Sequence, residues 1–193
     1  MQLLKDRIMQ EARNLGNGIL KVDGFINHQV DPDLMEACGK EFARLFADVG
    51  AQRILTAEIS GIAPALMTAC FLRLPVVYAR KTKPVTMSDT VYLTVAPSHT
   101  KGVLTELIVS PDFLPKDERV LIIDDFLASG ATIMGLVRLT QAAGAKLVGV
   151  GALIEKECEG GREALASLNV PVHALASIKS MENGGIQFSD RDD

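Results

Sequence analysis

Thirteen residues in the second half of the chain, Val120-Leu-Ile-Ile-Asp-Asp-Phe-Leu-Ala-Ser-Gly-Ala-Thr132, constrain the fold more than any other stretch. The apolar run 120–123 suits a buried strand and is too short for a helix. It meets two adjacent carboxylates, Asp124 and Asp125. A turn of small residues follows, Ala128, Ser129, Gly130, Ala131 and Thr132, and then a helical pattern to about Ala143. The pattern predicts strand, acidic corner, loop, helix. Backbone N–H groups at a helix start lack intrahelical partners and attract an anion. Ser129 and Thr132 add hydroxyl donors, and the lack of large side chains lets a phosphate reach the backbone. Two carboxylates beside such a cradle are repulsive unless they hold hydroxyls or a cation. The stretch therefore asks for a ligand with phosphate at one end and a diol or magnesium at the other. A sugar phosphate meets both demands.

The rest of the chain alternates helices and strands around this centre. Residues 2–14 read as an amphipathic helix ended by Gly16-Asn17-Gly18 in the manner of a glycine cap. Residues 19–30 read as short extended segments around a turn at Asp23-Gly24. Asp31 and Pro32 announce a helix to about Val49. A strand at 53–57 leads into Glu58-Ile-Ser-Gly-Ile-Ala-Pro64, a second small-residue turn before a helix. A strand at 76–79 ends in the cationic pair Arg80 and Lys81. Two alternating runs, 90–95 and 103–109, predict an isolated two-stranded hairpin within 82–115, marginally stable and suited to move. A strand at 146–154 ends at Glu155 and Lys156, a short helix starts at Gly160, and a last core strand covers 172–178. Strands separated by helices predict an α/β fold with a central parallel sheet flanked by helices, in one domain spanning 1–193. Glu58–Gly61, Arg80 and Lys81, Asp124–Thr132 and Lys156 all fall at the carboxyl ends of strands, where such sheets bind ligands.

A net charge of −4, with acids and bases interspersed, gives no global basic footprint for nucleic acid. Cys38, Cys70 and Cys158 are odd in number and far apart, which predicts reduced thiols and no zinc site. No apolar run approaches a membrane span, and the charged start Lys5-Asp6-Arg7 does not suit a secretory signal, so a cytoplasmic protein is expected.

The succession of four apolar residues, two acids, two further residues and Ala-Ser-Gly-Ala-Thr resembles the phosphoribosyl-pyrophosphate (PRPP) motif of type I phosphoribosyltransferases. The resemblance runs the full length. Gly18-Ile-Leu-Lys-Val-Asp-Gly-Phe-Ile-Asn-His-Gln-Val-Asp31 is similar to the hood of the xanthine-using branch. The resemblance implies a hood over residues 1–30, a flexible flap over 82–115, and transfer of phosphoribose from PRPP to xanthine, with weaker use of guanine or hypoxanthine. It implies that Ala128, Ser129, Gly130, Ala131 and Thr132 hold the 5′-phosphate and that Asp124 and Asp125 face the ribose. Ser60, Gly61, Arg80 and Lys81 are implied for pyrophosphate, with Mg2+ carried by pyrophosphate and ribose, and Leu20, Asn27 and Lys156 for the purine. By position alone Lys156 is either a ligand or a solvated lysine, Asn27 a turn residue and Leu20 core. A homodimer with no nucleic-acid or membrane partner is implied as well. The rival on the same fold is a non-catalytic sensor of PRPP and purine, which would need a basic DNA-reading module. A P-loop NTPase would need G-x-x-x-x-G-K-[ST], which the sequence lacks.

Overall fold

A computed structural model describes residues 1–97 and 104–189. Helix α1 (Gln2–Glu11) leads into a short antiparallel pair, β1 (Arg13–Asn14) and β2 (Leu20–Lys21). Here the structure corrects the sequence reading. Gly16, Asn17 and Gly18 all have positive φ, but they form the loop between β1 and β2 instead of a helix cap. Three left-handed residues in a row reverse the chain, whereas a helix end needs one. A π-helical turn, Asp23–Asn27, replaces the expected extended segment and buries Phe25 and Ile26. Helix α2 (Pro32–Leu45) then begins at Asp31, whose side chain accepts from Leu34 N–H at 3.0 Å and is held by Arg7. Those two partners, the backbone N–H first, keep the Asp31 carboxyl below its ordinary pKa.

The remaining elements in chain order are β3 (Arg53–Ala57), α3 (Ile62–Leu72), β4 (Val76–Ala79), β5 (Tyr92–Pro97) and β6 (Leu104–Val109). They are followed by β7 (Arg119–Leu127), α4 (Ala131–Ala142), β8 (Lys146–Lys156), α5 (Gly161–Leu165), β9 (Val172–Ser180) and β10 (Gln187–Phe188). Among the described residues the main sheet has the order β10-β9-β8-β7-β3-β4, parallel except for β10. Alternation along the strands feeds two cores. Ile54, Leu121 and Ile123 pack with Leu34, Cys38 and Phe42 of α2. Leu55, Val120 and Ile122 pack with Leu136, Val137 and Leu139 of α4. The described cysteines are unpaired, and burial pushes the Cys38 thiol up to about 12.

Two topological details create the site. From β3 the chain crosses through α3 to β4 on one side, and from β7 through α4 to β8 on the other. The order therefore reverses between β3 and β7, where open α/β sheets form their ligand crevice. In addition, β7 pairs with β3 only as far as Leu55↔Ile122, while its pairing with β8 continues to Leu127↔Glu155. The acidic pair thus lies inside a strand, not beyond its end. One edge of that strand is satisfied by β8, and the other edge opens into a cleft.

The hairpin β5–β6 is not isolated, contrary to the expectation. Arg80 and Ile108 exchange backbone hydrogen bonds of 2.8 and 2.9 Å, tying β6 to the end of β4. Ala96, Leu107 and Val109 join the α4 core, and Arg138 of α4 donates to Thr94 Oγ1 and the Val95 carbonyl. Residues 98–103, on which part of the expected flap falls, lie outside the described residues.

Candidate active site

A cleft of about 340 Å³ opens at the reversal point. Its walls carry Leu20 from β2, Asn27 from the π-helical turn, Ser60 and Gly61 from the turn after β3, and Lys81 from beyond β4. They also carry Asp124 and Asp125 from β7, residues 128–132 from the loop into α4, and Lys156 from the end of β8. Every residue singled out from the sequence lines this one cleft except Arg80. The Arg80 guanidinium is turned away, with Nε 3.0 Å from Glu58 and the group 5.8 Å from the Tyr78 ring centroid. That pair sits too obliquely to count as a hydrogen bond, so it is an electrostatic contact. Glu58, which the sequence reading placed at a ligand-binding strand end without naming it as a site residue, lines the cleft and accepts the Lys81 backbone N–H at 2.6 Å.

The loop into α4 is shaped for a close anionic ligand. Gly130 precedes the helix with φ +78°, and no side chain caps the helix start. The first helical bond is Met134 N–H to the Gly130 carbonyl, which leaves the N–H groups of Ala131, Thr132 and Ile133 without intrahelical partners. Gly161 supports the loop from behind. A Cβ there would stand 2.3 Å from the Ala128 carbonyl oxygen and 2.9 Å from the Gly130 nitrogen. Sequence reading took Gly161 only as the start of a short helix. The approach of two segments more than thirty residues apart in sequence leaves no local pattern.

The acidic pair is closely packed. Asp125 Oδ1 accepts Phe126 N–H at 3.0 Å, and the nearby Ser60 hydroxyl favours the charged form of Asp125. Gly61 presses on Asp124, where a Cβ would come within 2.3 Å of Oδ1 and 2.2 Å of Thr56 Oγ1. Burial, and then repulsion by Asp125, raises the Asp124 carboxyl well above its ordinary pKa. Burial raises Asp125 too, against the hydrogen bonds it accepts. The two carboxylates are thus a charge reservoir that the fold tolerates poorly, one that hydroxyls or a cation in the cleft would relieve.

Lys156 is almost wholly buried. Its ammonium donates to the Gly18 carbonyl at 2.7 Å, lies 3.1 Å from Glu159 and stands 5.3 Å from the Phe126 ring centroid. It is not the solvated lysine that position alone allowed. It joins the loop between β1 and β2 to the sheet and faces the cleft.

A family model for the phosphoribosyl transferase domain matches residues 54–170, and the chain belongs to the phosphoribosyltransferase family. Within that family it is similar to a xanthine phosphoribosyltransferase of Lactobacillus delbrueckii subsp. bulgaricus, 47% identical over 98% of this chain and 100% of the relative. It is also 49% identical to a xanthine phosphoribosyltransferase of Deinococcus deserti over 96% of each chain. Solved structures share the fold. Adenine phosphoribosyltransferase from Thermoanaerobacter pseudethanolicus superposes with TM-score 0.73 at 20% identity, covering 90% of this chain and 99% of that one. The Giardia lamblia enzyme complexed with 9-deazaadenine gives 0.76 at 19% identity, covering 92% and 98%.

Proposed function

We propose that the protein transfers the 5-phosphoribosyl group of PRPP to a ring nitrogen of xanthine, giving xanthosine 5′-monophosphate and pyrophosphate. The observation that carries this reading is the meeting, in one cleft, of an uncapped small-residue loop and an acidic pair, Asp124 buried and Asp125 half-buried. Residues 128–132 hold the 5′-phosphate through backbone N–H groups and the hydroxyls of Ser129 and Thr132. Asp124 and Asp125 accept hydrogen bonds from the ribose hydroxyls, which their proximity and burial make them avid for. As the bond from C1 to pyrophosphate breaks, positive charge grows on the sugar, and the pair stabilises it. Ser60, Gly61 and Lys81 receive the pyrophosphate, on which negative charge develops, and Glu58 fixes the backbone at Lys81. Arg80 reaches the pyrophosphate only by leaving Glu58.

The described residues hold no cluster of three or more His, Cys, Asp or Glu side chains for a metal. The acidic pair nonetheless fits Mg2+ carried on PRPP, since a cation relieves the repulsion that raises both carboxyls. Bound there, Mg2+ supplies neutralisation of the leaving group. No protein nucleophile is needed. Positioning of base and sugar removes roughly 7–11 kcal/mol of barrier, and the hairpin β5–β6, whose Ala96, Pro97, Thr105 and Leu107 line the cleft, keeps water from the reacting carbon. Turnover is tested by pyrophosphate release with PRPP and each purine. Xanthine should give the highest kcat/KM and adenine a negligible one. Absence of release with any purine would refute the reading.

The base is read by Leu20, Asn27 and Lys156. The Lys156 ammonium can only donate, so it selects a carbonyl at position 6 against adenine's amino group. With its N–H₂ turned inward, Asn27 favours the position 2 carbonyl of xanthine over the amino group of guanine. Asn27→Asp removes that donor. A mismatched buried hydrogen bond costs about 1–3 kcal/mol, so the xanthine-to-guanine ratio of kcat/KM should move toward guanine by roughly tenfold or more. If both constants fall together and the ratio holds, Asn27 does not read position 2.

The protein works in the cytoplasm as a homodimer; no described helix is long and apolar enough to cross a membrane. Helix α3 is apolar almost all round, yet Leu66 and Phe71 are about half exposed, as is Tyr78 on the edge strand β4. A helix of that composition is normally covered. Leu66→Glu with Phe71→Glu should convert a dimer to a folded monomer in sedimentation velocity. A variant that still sediments as a dimer would place the interface elsewhere.

A further inference from the structure

Just outside the cleft, among the described residues, the buried Glu155 pairs with Arg162. Glu155, only 1% exposed, is the residue before Lys156 on β8. Arg162 is the residue after Gly161, the glycine that supports the loop into α4. Arg162 Nε donates to Glu155 at 2.8 Å and 3.1 Å, Nη2 donates to Oε2 at 2.6 Å, and Nη1 donates to the Val172 carbonyl at 2.9 Å. Ser177, opposite Glu155 on β9, donates its hydroxyl to the same carboxylate at 3.1 Å. The carboxylate is thus pinned by the sheet and grips the guanidinium by a two-pronged contact, which fixes orientation as well as distance.

Burial of such a pair is weak evidence for stability, because well-packed apolar residues in its place are often neutral or better. Its placement suggests a different use. Neighbouring residues on a strand face opposite ways, so Glu155 lies behind the sheet end that presents Lys156 to the cleft. Through Arg162 it sets where Gly161 stands, and Gly161 touches the Ala128 carbonyl and the Gly130 nitrogen with no room to spare.

We infer that Glu155 and Arg162 are positioning residues for PRPP, holding Gly161 at the height that gives residues 128–130 their phosphate-binding shape. Neither touches the ligand. This rests on the assignment of residues 128–132 to the 5′-phosphate. The turn at Ser60 and Gly61 belongs to β3 and α3, so the pair leaves the pyrophosphate end of the cleft alone.

The test compares two ligands in the full-length protein by calorimetry: ribose 5-phosphate for the loop and inorganic pyrophosphate for the opposite turn. In Glu155→Met/Arg162→Met, ribose 5-phosphate affinity should fall roughly tenfold to a hundredfold, the scale of a loop misplaced by about an ångström. Pyrophosphate affinity should hold, and so should the melting temperature. Arg162→Lys, which keeps the charge but loses the two-pronged grip, should move in the same direction by less, and it decides the matter if the double variant does not fold. Unchanged ribose 5-phosphate affinity in a folded variant, or equal losses for both ligands, overturns the positioning role. Wild-type protein that binds no ribose 5-phosphate would overturn the loop assignment itself, which is a separate failure.

Discussion

Asp124→Asn together with Asp125→Asn should lower kcat by roughly 10²–10³-fold or more, the loss expected when preorganised charge at a reacting centre is removed. The same variant should melt at a higher temperature than wild type at neutral pH. Both carboxyls have pKa values raised by folding, chiefly through burial. A raised carboxyl favours the folded state below the unfolded pKa, about 3.9 for aspartate, where it is protonated in both states relative to neutral pH. That contribution is lost as pH rises through the folded pKa, because the folded protein must then hold a charge that the unfolded chain holds in water. Asparagine carries no such charge. The gain in melting temperature should therefore be largest near pH 7.5 and shrink toward pH 4, as paired thermal melts would reveal. A variant that turns over near the wild-type rate removes the pair from the chemistry. One that is less stable at neutral pH contradicts the origin given for the raised values.

Gly130→Val should weaken PRPP binding by roughly a hundredfold, on the same scale of loop misplacement. Two effects act together. A φ of +78° is poorly tolerated by a β-branched residue, at a cost of about 1–3 kcal/mol. The new Cβ would also meet the Gly161 carbonyl oxygen at 3.2 Å and its Cα at 3.3 Å. Gly130→Ala brings the same Cβ contacts and most of the backbone strain, so the difference between the variants isolates the effect of valine's two γ-methyls. Calorimetric titration with PRPP measures both, and pyrophosphate binding should survive in each. Unaltered PRPP affinity for the valine variant would contradict the cradle.

The sheet was legible in the sequence because a strand buried on both faces is a continuous apolar run, as at 120–123 and 146–154. Its carboxyl ends were legible because polar residues cannot continue such a run without a reason. The end of β7 was misjudged for an instructive cause. Asp124 and Asp125 are charged, yet β8 still pairs with their backbone, and hydropathy reports side chains alone. The hood was harder. Gly16-Asn17-Gly18 suits a helix cap and a hairpin loop alike, and only the pairing of Arg13 with Lys21 selects the loop. Arg80 beside Lys81 looked like a double cation, whereas Glu58, twenty-two residues earlier, engages the first and fixes the backbone of the second. Gly161, Glu155 and Arg162 left no trace, since their significance lies in which segments approach one another.

On the proposed assignment the segment before α2 supplies Leu20 and Asn27, whereas Lys156 alone of the base contacts belongs to the sheet. That segment's polar ties to the body include Lys156 to the Gly18 carbonyl and Asn14 to the carbonyls of Met181 and Gly185. Choice of purine is therefore portable in a way that sugar-phosphate chemistry is not. Adenine phosphoribosyltransferases share the fold at about a fifth sequence identity. On that assignment one segment carries two of the three base contacts, while Asp124 and Asp125 stand on β7 of the sheet.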